Sequence, residues 1–177
     1  MGGSDHVVIV NNTLYNNNTK NGGAEFQIQY HSASTNIFEN NIVYAGTQNV
    51  WIYSYVSGSL STANFNDYYS TAGYSQGTSI TWGNNSSYAT YAAYQTKTGD
   101  DKNSPNANPD FISLTSDPPN FDLQSGSPAI NAGSTALKCS LGYCGSGTSI
   151  YGSTDYAGNP RINGLLEQAA EHLARRS

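Results

Sequence analysis

Short stretches of alternating apolar and polar residues, separated by Asn-rich breaks, pattern the first 85 residues. Ala24-Glu-Phe-Gln-Ile-Gln-Tyr30 and Asn49-Val-Trp-Ile-Tyr-Ser-Tyr55 alternate β-branched or aromatic residues with other residues at a period of two, as half-buried strands do. Around them a motif returns. Val10-Asn-Asn-Thr-Leu-Tyr15 becomes Glu39-Asn-Asn-Ile-Val-Tyr44 and, more loosely, Phe65-Asn-Asp-Tyr-Tyr69. A unit of about 25 residues with two or three short strands cannot bury an apolar face alone, so such units stack. Few leucines argue against a leucine-rich frame, and Asn-rich, β-branched stretches argue against helical repeats. The pattern predicts an all-β chain built as a short right-handed parallel β-helix (a solenoid). Asn tolerates left-handed backbone angles, and its amide can pair with an Asn one coil above. Asn11, Asn12, Asn40, Asn41 and Asn66 are therefore expected at the corners between strands.

The pattern changes near residue 85. Ser87 is placed to cap a short helix carrying Tyr88, Tyr91, Ala92 and Gln95 at helical spacing, with Gly99 to stop it. Residues onward to 164 are rich in Pro, Asn, Asp, Ser and Gly. They predict an irregular closing segment, with one or two further short strands, that covers the unpaired edges of the last coil. The expected organisation is one domain over 1–164, with coils over about 5–85 and the closing segment over 86–164. In the tail, 165–177, Leu166, Ala169, Ala170 and Leu173 form a helical stripe, and Glu171 precedes Arg175 by one turn. That predicts a terminal α-helix without β character.

Composition narrows the partners. The 177 residues carry 12 acidic and 7 basic side chains, a net charge of -5, and only 11% charged residues in all. Nucleic acids and anionic membranes both demand a cationic surface, so neither is an expected partner. No apolar run approaches the roughly 20 residues of a membrane helix, and the first residues do not resemble a secretory signal. With 14 Tyr, 5 Phe and 2 Trp the chain is too aromatic for a disordered one. Low charge with many aromatics points to a secreted or cell-surface parent protein. Cys139 and Cys144 are close enough for a small disulfide loop, the alternative being two unpaired thiols.

The closing segment resembles a known family. Tyr94-Gln-Thr-Lys-Thr-Gly-Asp-Asp101, then Ser104, then Pro109-Asp-Phe111, is similar to the closing region of parallel β-helix proteins of the pectate-lyase-like superfamily. The likeness continues through Phe121-Asp-Leu-Gln-Ser-Gly-Ser-Pro-Ala-Ile-Asn-Ala-Gly133 and Asp155-Tyr-Ala-Gly-Asn-Pro-Arg161. That superfamily includes polysaccharide lyases, glycoside hydrolases, pectin esterases, bacterial surface proteins and phage tail proteins, so the resemblance implies fold more firmly than activity. Two features depart from it: only about three coils precede the closing region, and the tail after Arg161 does not continue as a strand. The first coil lacks an evident cap, which predicts a homo-oligomer formed through that open end.

Glycoside hydrolysis requires two carboxylates flanking the bond. The acids of the coil region are Asp5, Glu25, Glu39 and Asp67. Glu25, read as outward beside Gln27, and Glu39, just before an Asn pair, are the catalytic candidates, with a lone solvated acid as the plainer reading of each. Lyase chemistry requires a base and a cation to neutralise a uronate, yet the first 85 residues contain only Lys20 as a cation. Calcium is the one cofactor left open, with Asp100 and Asp101 as candidate ligands. Binding suits the pattern better than turnover. If Phe26, Ile28 and Tyr30 face inward with Val50 and Ile52, then Gln27, Gln29, His31, Trp51, Tyr53 and Tyr55 form one outward patch. Aromatic faces beside amides suit a polysaccharide or oligosaccharide. Three functions follow from this: a glycan-binding remnant of a secreted polysaccharide-acting enzyme, an active lyase or hydrolase, or an inert assembly module.

Overall fold

The Asn-containing breaks end one strand and begin the next, and this divides each repeat into short β segments. A computed structural model describes residues 7–17, 24–28, 36–46, 52–54, 60–74, 80–82, 86–134, 162–163 and 165–166. The elements in order are β1 (Val8–Val10), β2 (Thr13–Tyr15), β3 (Phe26–Ile28), β4 (Asn36–Glu39), β5 (Ile42–Tyr44), β6 (Ile52–Ser54), β7 (Leu60–Asn64), β8 (Asp67–Tyr69) and β9 (Ile80–Trp82). After these come β10 (Ser86–Ser87), α1 (Tyr91–Thr98), β11 (Phe111–Ser113), β12 (Asn120–Leu123), β13 (Ile162–Asn163) and β14 (Leu165–Leu166). The described chain is mostly β with one helix.

The first nine strands pair by a single rule: each of β1 to β6 lies parallel to the strand three places later. The resulting sheets run β1-β4-β7, β2-β5-β8 and β3-β6-β9. Parallel neighbours cannot be joined by a tight turn, and here the remaining strands of each unit make the crossover. β10 adds antiparallel to β9, and β11 and β12 form an antiparallel pair.

Residues in register form rows, and one row from each sheet meets in a common core. Ile9, Phe38 and Ala63 come from the first sheet, Leu14, Val43 and Tyr68 from the second, and Phe26 and Ile80 from the third. Phe26 stacks on Phe38 with ring centroids 4.5 Å apart. α1 adds Tyr94, fully buried, to the same cluster. A second cluster lies between β5 and the β11–β12 pair, where Ile42 and Tyr44 meet Phe111, Leu123 and Ala129. Tyr15, Tyr44 and Tyr69 occupy successive strands there with ring centroids 5.2 and 5.1 Å apart, close to the strand spacing itself.

Two local expectations are corrected. Ser87 does not cap the helix, because β10 takes it as the partner of Thr81. Thr90 is the cap: its backbone is extended and its side chain accepts from the Ala93 N–H, while Gly99 ends the helix at φ 80°. The tail does have β character at its start, since Leu165–Leu166 pairs antiparallel with Ile162–Asn163. Residues 167–177, where the rest of the terminal helix was expected, lie outside the described residues. So do Asp5, Cys139 and Cys144.

Candidate functional site

The Asn residues divide the corner between them. Asn11 and Asn40 take left-handed backbone angles, φ 58° and 57°, and Phe65 takes the same place in the third unit at φ 54°. The residue after each turns its amide along the stack. The Asn41 Oδ1 accepts from the Asn12 backbone N–H at 3.0 Å and the Asn12 Nδ2 at 3.1 Å. The Asn66 Oδ1 accepts the same two bonds from Asn41, each 3.0 Å. The second proton of each amide goes to a strand carbonyl, from Asn41 to Ile9 and from Asn66 to Phe38. The steps span 29 and 25 residues.

The ladder ends on a carboxylate. Asn66 Nδ2 donates to the Asp101 Oδ1 at 3.0 Å, and the Ser104 hydroxyl donates to the same oxygen at 2.6 Å. The other oxygen receives the Tyr68 and Tyr94 hydroxyls at 3.1 and 2.8 Å. An acceptor-only group suits the last rung, because nothing beyond it needs a donor. Burial raises the Asp101 pKa, against the lowering effect of these four donors. Burial, then the Asp101 charge, pushes the Tyr68 and Tyr94 hydroxyls well above their ordinary range.

Three more acids sit near this hub. Glu39 is 4% exposed, and burial followed by repulsion from Asp101 pushes its carboxyl up to about 7. Asp67 is fully buried and also pushed up to about 7, chiefly by burial, with Asp110 adding repulsion and the Ala107 N–H opposing. Its Oδ1 accepts that N–H at 3.2 Å, while its Oδ2 is buried with no hydrogen-bond partner. Asp100 is pushed up to about 6 by burial and then by Asp101.

These placements give the surroundings of the candidate catalytic and metal residues. Glu25 and Glu39 are not solvated acids. Glu25 lies in the bend before β3 rather than on it, so strand alternation does not govern it. It is 7% exposed and accepts the Asn17 N–H on Oε2 at 2.8 Å. Asp101 spends both oxygens on four side-chain donors, which leaves it poorly disposed to bind calcium. Among the described residues, no three or more His, Cys, Asp or Glu gather as a metal cluster.

Of the expected glycan patch, Gln27 is half-buried on β3 and Tyr53 is its register partner on β6, with Thr81 next on β9. Gln29, His31, Trp51 and Tyr55 lie outside the described residues. The role of Asp101 was missed in the sequence because it joins the ladder from outside the repeat. Asp67 carried a signal, since it shares a row with Thr13 and Ile42, where an acid is the odd member.

Among the described residues no helix is long and apolar enough to cross a membrane. No protein-family model, no curated protein and no solved structure matches this chain.

Proposed function

We propose that this chain is a short right-handed parallel β-helix of the pectate-lyase-like kind, serving as a glycan-binding module of a secreted or cell-surface protein. The observation that carries the reading is the register of β3, β6 and β9. Phe26 packs on the core and Ile80 is fully buried, and both lie in the register row that passes through Ile52. Gln27, Tyr53 and Thr81 share the neighbouring row of the register, one residue per strand at about 4.8 Å, and this is the row proposed to bind. Amide, phenol and hydroxyl groups at that spacing meet successive hydroxyls and C–H faces of an oligosaccharide. Binding is favoured over hydrolysis because Glu25, Glu39 and Asp67 are all buried, out of reach of a polymer. β1, β2 and β3 are each paired on one side only among the described residues, which supports association of two copies at that end.

Titrating the protein's intrinsic fluorescence with neutral and acidic oligosaccharides tests the assignment. A saturable shift with at least one glycan, weakened about tenfold or more by Tyr53→Ala, is the expected result. An unchanged spectrum across the panel would leave an inert assembly module as the function. Release of reducing ends or of an unsaturated product would instead establish an enzyme.

A further inference from the structure

We propose that the seam joining β7 and β8 to residues 100–110 is a proton-operated latch, closed when the carboxyls of Asp67 on β8 and of Glu39, the register neighbour of Asn64, carry protons and loosened when they lose them. Besides the Asn66 and Tyr68 bonds to Asp101, the Asn66 N–H donates to the Ser104 hydroxyl at 2.8 Å and the Asn106 Nδ2 to the Tyr68 carbonyl at 2.5 Å across this seam. The Asp101 N–H donates to the Ala63 carbonyl at 2.7 Å, the Asn103 N–H to the Asn64 Oδ1 at 2.9 Å, and the Ala107 N–H to Asp67. The Tyr68 N–H returns a bond to the Pro105 carbonyl at 3.2 Å.

The acids in this seam face other acids and neutral groups. Asp67 is approached by Asp110 from the 100–110 segment, by Tyr91 from α1 and by its row neighbour Ile42 on β5. Glu39 is flanked in register by Val10 and Asn64 and faces the Asp101 charge. Asp100 adds a further acid beside Asp101. The described lysines, Lys97 and Lys102, are both exposed. The Asp67 Oδ2 is the decisive atom: it is buried without a partner, and a neutral acid bears that far better than a carboxylate does.

The sign of the pH effect follows. Both acids have folded values near 7, above the ordinary carboxyl range. The stability they lend is complete below that ordinary range and is lost as pH rises through about 7. Acid closes this latch and neutral pH loosens it, the reverse of a seam held by salt bridges. The inference stands apart from glycan binding and does not need it.

Hydrogen exchange on the full chain between pH 5 and pH 8, corrected for intrinsic rates, tests it. The opening constant at the Asp101, Asn103 and Ala107 amides is expected to rise ten- to a hundredfold per pH unit up to about pH 7 and then level off. Between pH 6 and 7, above the value near 6 to which Asp100 is pushed, Asp67→Asn is expected to remove about half of that logarithmic slope, and Asp67→Asn with Glu39→Gln most of it. A flat wild-type profile overturns the proposal, and that measurement stands even if a variant fails to fold. An unchanged slope in both variants overturns it as well. So does restored protection at pH 8 on adding calcium, which would make the Asp67 Oδ2 a cation ligand.

Discussion

An asparagine amide offers two donors and two acceptor sites, and Asn41 and Asn66 each use all four within the stack. Removing one strands several buried partners at once. Asn66→Ala leaves the Asn41 N–H and amide without their acceptor and takes one donor from Asp101. At about 1–3 kcal/mol for each orphaned group, the expected loss is about 3 kcal/mol or more in a denaturant titration. Asn11→Gly is the contrast, because Asn11 serves through its left-handed backbone, which glycine adopts freely. Its effect should stay within about 1 kcal/mol. Gly46 combines both constraints: its φ is 45°, and an added Cβ would lie 2.6 Å from the Asn16 Oδ1. Gly46→Ala should therefore cost about 2 kcal/mol in the same assay.

At the scale of elements, the sequence was most legible where a repeat carried the signal. The Asn pairs placed the boundaries of β1, β2, β4 and β5 because each pair must turn the backbone and satisfy an amide. The third unit breaks the pattern by putting Phe65 at the left-handed position, so Asn66 alone announced it. Helix α1 was legible in its stop but not its start. Ser87 and Thr90 are both capping residues three apart, and only the pairing of Ser87 with β9 decides between them. Thr90→Ala should lower stability by about 1 kcal/mol, measured by thermal or denaturant unfolding, whereas Ser87→Ala should leave the helix cap intact. The burial of Glu25 and Glu39 was not legible. Glu25 sits in a bend where period-two alternation has no force, and Glu39 ends β4, a strand buried at all of its positions rather than at alternate ones. Asp101 was hidden for a related reason, standing 35 residues beyond Asn66 in a segment with no repeat to align it.

Across the whole molecule, three parallel sheets supply one core, and a polar ladder runs beside it to a buried carboxylate. The acids at that end make stability depend on pH in an unusual direction. With Glu39 and Asp67 raised to about 7, the unfolding midpoint should fall as pH rises from about 5 to 7 and change little above that. A thermal melt at each pH checks this. The proposed glycan row, the one-sided pairing of β1, β2 and β3 among the described residues and the proposed latch all depend on β1 to β6 each lying parallel to the strand three places later. Nuclear Overhauser contacts in the isotopically labelled protein measure that pairing directly. The account predicts contacts between Ile9 and Phe38, between Phe38 and Ala63, and from the Asn12 amide to Asn41 and the Asn41 amide to Asn66, with slowly exchanging Asn side-chain protons. Close Hα–Hα contacts diagnostic of antiparallel pairing among these strands, or Asn amides that exchange as freely as in a peptide, would contradict it.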